Sequence, residues 1–257
     1  MSWAEIKHAL NSTLGTDDFK PLDKMISGNI VIIKENTTWS IPKGIDVVYI
    51  TACGGGGGGG NSPSTYNDHP LCDGGAGGAC IVDKMFDVSG LTQLNITIGK
   101  GGKGGTYESP GNVPENGEAT VIGDLVTLPG GTCAHYAIRG YRAEGTYPGG
   151  GYGGKSKQDY QTGSMSEILG GAGAYIDGVR VGDYSSIYGD GDELNSNYFY
   201  GGCGGSSLGV GGDGIVVRNR DMISEATDGG YGAGGGGGYS YIGDGGNGGD
   251  GIVIIRW

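Results

Sequence analysis

The sequence predicts a mainly β protein in which packed polyglycine II helices alternate with strands, preceded by a short N-terminal α-helix. Three observations carry that prediction. Glycine supplies 62 of the 257 residues, far above the ordinary share of about 7%. Short β-branched runs recur from Gly28 onward, with turn residues between them. The glycine runs that separate them keep a three-residue beat.

The beat is explicit in several places. In "GKGGKGGT" the non-glycines Lys100, Lys103 and Thr106 fall on every third residue, and "YGGCGGS" places Tyr200, Cys203 and Ser206 the same way. "GDGGNGGDG" does it with Asp244, Asn247 and Asp250, and "GGAGGA" with Ala76 and Ala79. Three residues per turn is the period of the polyproline II geometry, which has no internal hydrogen bonds. Its buried N–H and C=O groups must pair with neighbouring chains. Close packing then leaves no room for Cβ on the packed faces, and the third position points outward. Collagen would need long proline-rich tracts with one glycine in three, and this chain has 8 prolines in all. A flexible Gly/Ser linker would keep no period. The seven glycines of residues 54–60 follow "IDVVYITAC" and read as such a helix, entered near Cys53. Substitution there is expected to be damaging at packed positions and mild at about every third one.

Residues 2–14 read as a helix. Ser2 and Glu5 form a capping box. Trp3, Ile6, Leu10 and Leu14 share one face, and Gly15 suits the left-handed residue that ends a helix. A lone amphipathic helix cannot bury its own stripe, so this one is expected to dock on a partner or on copies of itself rather than on its own domain. "NIVIIK", "WSIP", "DVVYITA", "ACIVDKMFDV" and "LNITIG" follow as strands. "ATVIGDLVTL" reads as a hairpin around Gly123-Asp124, and "AYIDGVRVG" as one around Asp177-Gly178. "GIVIIRW" is a last strand returning to the base. The chain is therefore divided into an attachment segment (1–26), a β base with the first glycine runs (27–130), a glycine-rich region with tyrosine-rich loops (131–251) and a closing strand (252–257).

A net charge of −12 argues against nucleic acid or an anionic membrane as partner. One window, residues 133–157, runs the other way, with Arg139, Arg142, Lys155 and Lys157 against Glu144. The start lacks an apolar core and a cleavage site, so no secretion signal is expected. Five cysteines without a C-x-x-C read as reduced apolar fillers. His8, His69 and His135 have no ligand spacing. "GGNGGDGIV" fits one calcium-binding nonapeptide but has no tandem copy. No metal, cofactor or serine-hydrolase site is expected, and a pair of loop carboxylates cleaving a polysaccharide is the less favoured enzymatic alternative.

The stretches between glycine runs have their own composition. Of the aromatic residues 16 are tyrosine and 3 phenylalanine, and most of the tyrosines sit in these stretches among Ser, Gly, Asn and Asp. Rigid amphipathic rings mixed with adaptable polar groups make binding loops. The candidate contact residues are Tyr66, His69, Tyr141, Tyr147, Tyr160, Tyr184, Tyr188, Tyr198, Phe199 and Tyr200. Some rings are expected instead to lie across glycine surfaces with a wet hydroxyl.

"TTWSIPKGIDVVYITACGGGGGGG", "GGAGGACIVDKMFDVSGLTQLNITIGKGGKGG", "ATVIGDLVTLPGG" and "GGNGGDGIVIIRW" follow one another in order. This order resembles the glycine-rich domain of bacteriophage tail-fibre proteins, and is similar in plan to the tail-fibre tip adhesins of T-even-like phages. The opening "WAEIKHALNSTLGTDDFKPLD" resembles short attachment segments of tail proteins in phages of Gram-positive hosts. The resemblance implies a non-enzymatic adhesin of the virion. Its loops would meet a bacterial surface glycan or protein, and its N-terminal segment would join the fibre shaft or sister chains. Cys53 stands where that family often has tryptophan. The alternative is a structural glycine-rich particle-surface protein without a receptor.

Overall fold

The fold starts from strands whose side chains alternate inward and outward. The structure, a computed structural model, describes residues 29–61, 72–106, 113–134, 174–176, 179–181, 198–200, 204–218, 221–239 and 243–257. The predicted N-terminal helix, with Trp3, Ile6, Leu10 and Leu14, lies outside them. The described residues form β1 Ile30–Ile33, β2 Thr37–Ser40, β3 Val47–Cys53, β4 Cys80–Asp87, β5 Gln93–Thr97, β6 Thr120–Ile122, β7 Val126–Leu128, β8 Ala174–Ile176, β9 Val179–Val181, β10 Tyr198–Tyr200, β11 Val216–Arg218, β12 Asp221–Ser224 and β13 Ile252–Arg256. They contain no helix. Both predicted hairpins are present, as β6–β7 and β8–β9, and Gly123 takes the positive φ that its turn requires.

Two antiparallel sheets, ordered β1-β13-β3-β4 and β2-β5-β6-β7, make the base. From the first, Ile33, Val48, Ile50, Ala52, Val253 and Ile255 point inward, and they meet Leu94, Ile96, Ile122, Val126 and Leu128 of the second. Each Val, Leu or Ile among them stabilises the base by roughly 1.5–3 kcal/mol on burial. Trp39 and Trp257 stack tilted beside this core, with ring centroids 5.2 Å apart. β13, the last strand in the chain, sits between β1 and β3. The outer face of the same sheet carries a second, smaller core. Cys53, Cys80 and Ile252 pack there with Leu208, flanked by Val82, Tyr231 and Ile254.

The glycine runs grow directly out of the base. β3 continues into residues 54–60, β5 into 99–105 and β7 into 130–134, while runs 72–79, 113–118 and 245–249 lead into β4, β6 and β13. In the run 54–60 the backbone partners rotate every three residues. Gly54, Gly57 and Gly60 donate to the carbonyls of Ala79, Ala76 and Asp73. Gly55 and Gly58 donate to Glu118 and Glu115, and Gly56 and Gly59 to Gly249 and Gly246. The same run accepts from Gly102 and Gly105, from Gly131 and Ala134, and from Gly235 and Gly238. Partner numbers fall along the three acceptor runs and rise along the three donor runs, so antiparallel and parallel neighbours alternate around it. The six neighbours also bond to one another in a closed ring, through Glu118 to Lys100, Gly117 to Gly131, Ala76 to Thr132, Gly75 to Gly235, Gly246 to Gly236 and Gly248 to Gly102.

This arrangement corrects one expectation. No position in every three of the run 54–60 points outward, because the run is enclosed on all sides. A Cβ on Gly54 or Gly57 would overlap the carbonyls of Pro129 or Thr132. On Gly55 or Gly58 it would overlap those of Lys100 or Lys103, and on Gly56 or Gly59 those of Ala233 or Gly236. Only Gly60, at the far end, meets its neighbours no closer than 3.2 Å. In the surrounding runs the beat has the expected meaning at Lys100, Lys103, Asp244 and Asn247, which are exposed. Ala76 and Ala79 keep the beat but are buried.

The outward residues also close the edge of the bundle. Backbone amides with no further run beside them are taken by side chains of the adjoining run. Asp250 Oδ1 accepts from Gly101 N at 2.8 Å, Asn247 Oδ1 from Gly104 N at 3.0 Å and Asn116 Oδ1 from Cys133 N at 2.8 Å. Asp250 also pairs with Lys100 Nζ at 2.9 Å, and this hydrogen bond holds the Lys100 ammonium above its ordinary pKa. The Asp250 carboxylate of the calcium-like nonapeptide is thus occupied within the bundle.

Candidate binding surface at the distal end

The ladder fixes two ends for the bundle. Gly54 adjoins the base, and Gly60 marks the distal end. Gly59 and Gly60 pair there with Gly105, Gly246, Asp73 and Gly238. A plug of side chains closes this end. Asn61 is buried and its Nδ2 donates to the Gly243 carbonyl at 2.6 Å. Tyr239 is buried and bridges Gly243 through two backbone bonds. Ile215 is fully buried and occupies the space a Cβ on Gly243 would need.

A second layer lies on one side of the ring and runs to the same end. Gly212 and Ile215 donate to Gly234 and Gly237, so this stretch runs parallel to the run 233–238 and continues past it into β11. β10, β11 and β12 then form a three-stranded antiparallel sheet beyond the ladder. Its far edge, β12, is exposed along its length and shows Met222 and Ile223 to solvent. At the other extreme this layer turns at Ser207–Leu208, over Cys53 and Cys80.

The sequence-predicted contact residues distribute as follows. Tyr198, Phe199 and Tyr200 are β10, held by pairing with Arg218, Val217 and Val216 on the distal sheet. Tyr66 and His69 lie outside the described residues. The chain leaves the ladder at Asn61 and rejoins it at Cys72, whose amide donates to Gly238, so both attachment points are distal. Tyr141, Tyr147, Tyr160, Tyr184 and Tyr188 also lie outside the described residues, as does the window 135–157. Their stretch departs from Ala134, again at the distal end, and returns through β10. Within it, β8 of the β8–β9 hairpin comes beside β4 of the base. Not all of this stretch belongs to the distal end.

Some features were missed by reading the sequence. β11 and β12 are joined by Asn219-Arg220, a two-residue connection between short apolar runs, and that spacing was the available signal. Residues 205–209 carry the G-x-S-x-G spacing of serine-hydrolase nucleophiles, although no serine-hydrolase site is expected from the sequence. Ser207 is nonetheless buried at a turn, and its hydroxyl donates to the Gly78 carbonyl at 2.9 Å. Among the described residues no group of three or more His, Cys, Asp or Glu could hold a metal ion. Among the described residues, Cys53, Cys72, Cys80 and Cys133 form no disulfide. Burial pushes the Cys80 thiol up to about 12. Burial first, and then the neighbouring Cys80, push Cys53 further up.

An antiparallel β base, a backbone-only bundle standing on it and interposed segments joined at its far end define a glycine-rich β protein. The chain belongs to the glycine-rich domain family, whose sequence profile matches residues 32–257. No curated protein matches it.

Proposed function

We propose that the chain is the receptor-binding protein at the tip of a phage tail fibre, or of a related phage-tail-like particle. The observation that carries this reading is the polarity of the molecule. The segments inserted between runs at Asn61, Thr106, Ala134 and Tyr239 all depart from the distal end of the ladder. At the base, short turns such as Gly123-Asp124 join the strands. The rotating three-residue ladder supports reading the runs as polyglycine II helices. Such a bundle holds the inserted segments on a stiff support, so little ordering cost is incurred on binding.

In this reading the tyrosine-rich segments contact a bacterial surface glycan by stacking, or a surface protein as interface anchors. The protein is non-enzymatic, takes no cofactor and acts outside the cell as part of the virion. The base, where residues 1–28 enter and Trp257 lies, faces the shaft or sister chains.

The test is binding of the soluble full chain to fractionated host envelope. Exchange of residues 155–200 or 62–71 is expected to abolish or redirect binding, while trimming residues 1–20 leaves it intact. Binding that survives both exchanges would sink the assignment. A rise in reducing ends on purified host polysaccharide would replace it with a cleaving enzyme.

A further inference from the structure

Among the described residues, the outer face of the β1-β13-β3-β4 sheet is covered only in part. Near the bundle, Leu208 and Tyr231 lie over it. Away from the bundle, Ile30, Arg256, Tyr49 and Met85 form one cross-strand row. Ile32 and Ile254 form part of the next row, and Val47 extends β3 outward. Ile32, Val47 and Met85 are exposed, Met85 to 61%. Arg256 binds both carboxylate oxygens of Asp83, at 2.8 and 3.0 Å, and lies 4.5 Å over the Tyr49 ring. Exposed apolar side chains gathered on one sheet face in this way mark a contact surface.

We propose that this face is the seat of residues 2–14 of the same chain, with Trp3, Ile6, Leu10 and Leu14 laid across it. The dimensions agree. Eleven residues of helix separate Trp3 from Leu14, roughly 16 Å at about 1.5 Å per residue. Four strands span about 14 Å at their usual spacing. The point of entry is fixed, because Asn29 and Trp257 exchange backbone bonds of 3.2 and 3.1 Å beside β1. From there residues 15–28 can reach about 45 Å, more than the sheet requires. A tether of this length gives an effective concentration in the millimolar range. A helix of this size is marginal in water without tertiary cover, so docking satisfies the stripe and the sheet together. The stripe was expected to dock on a fibre or a sister chain. Seated in cis, it leaves the helix's polar face to make that contact. The inference does not depend on what the distal end binds.

The test uses the full chain and peroxide footprinting read by mass spectrometry. Ile6→Asp with Leu10→Asp is expected to speed sulfoxide formation at Met85 several-fold, with Met222 unchanged as an internal control. Equal Met85 rates in parent and variant would overturn the proposal. A photo-crosslinker at Leu10, in a mixture of isotopically light and heavy chains, is expected to give single-chain products joining it to peptides of β1 or β4. Products linking light to heavy chains, products on the β8–β9 hairpin, or no product would each overturn it.

Discussion

The hydroxyl of Thr120 donates to the Cys53 carbonyl at 2.7 Å, at the point where β3 gives way to the central glycine run. The same oxygen accepts from Gly99 N at 3.0 Å, where a second run leaves the base. Thr120 is fully buried. Thr120→Val keeps the shape and strands both backbone groups. The expected cost is about 2–4 kcal/mol, at roughly 1–3 kcal/mol per unsatisfied group, read as a lowered urea midpoint. Thr120→Ser should retain most of the stability. A larger loss for Thr120→Ser than for Thr120→Val would mean that the methyl group, not the hydroxyl, matters.

The enclosed run makes a graded prediction. Gly57→Ala drives a Cβ into the Thr132 carbonyl, and should cost about 3 kcal/mol or prevent folding, since backbone cannot yield as a flexible side chain can. Gly55→Ala and Gly56→Ala should be as severe, because they face Lys100 and Ala233 in the same way. Gly60→Ala should cost about 1 kcal/mol. Lys103→Ala, on an exposed position of a neighbouring run, should stay within about 0.5 kcal/mol. Denaturant midpoints across the series decide it, and a mild effect at Gly57 would undo the cage.

The edge seal separates two roles of one carboxylate. Removing Lys100 leaves the Asp250–Gly101 hydrogen bond intact, and an exposed ion pair contributes little. Lys100→Ala should therefore not move the melting temperature measurably. Asp250→Ala frees the Gly101 amide and should lower it by about 2–4 °C. The two are compared by calorimetry at low and moderate salt.

The buried thiols set an alkaline limit. Cys80 in the folded chain keeps its proton up to about 12, whereas an ordinary thiol loses it near 9.0. Across that window the unfolded chain has released a proton that the folded chain retains. Stability must then fall as pH rises, by up to about 1.4 kcal/mol per pH unit for each such thiol. Replacing Cys80 with Ala should flatten this alkaline slope. In native protein at neutral pH, alkylation should mark the half-exposed Cys133 well before Cys53 or Cys80.

Much of the framework was legible because its rules are local. β-branched runs, the turn at Gly123 and the outward Lys100 and Lys103 follow from short-range sterics. The environment of residues 54–60 was not legible, because an outward position is a property of the lattice and not of the run. Seven glycines without a beat are what full enclosure requires, and that reason appears only once six neighbours are counted. The β11–β12 hairpin escaped notice because Asn219-Arg220 lacks the glycine that marks such turns. Of the candidate contact residues, Tyr198 to Tyr200 are positioned by a backbone ladder. Tyr66 and Tyr160 were recognised by composition alone, which says what kind of surface a segment makes but not where it sits.

The direct continuation of β3, β5 and β7 into glycine runs has a mechanical consequence. A pull between the distal end and the base travels along covalent backbone through the joint at Cys53, Thr97–Gly99 and Leu128. The ladder bonds lie across that axis, so tension loads many of them in shear together rather than unzipping them one by one. In the proposed adhesin, a load between receptor and shaft would be carried by these runs together.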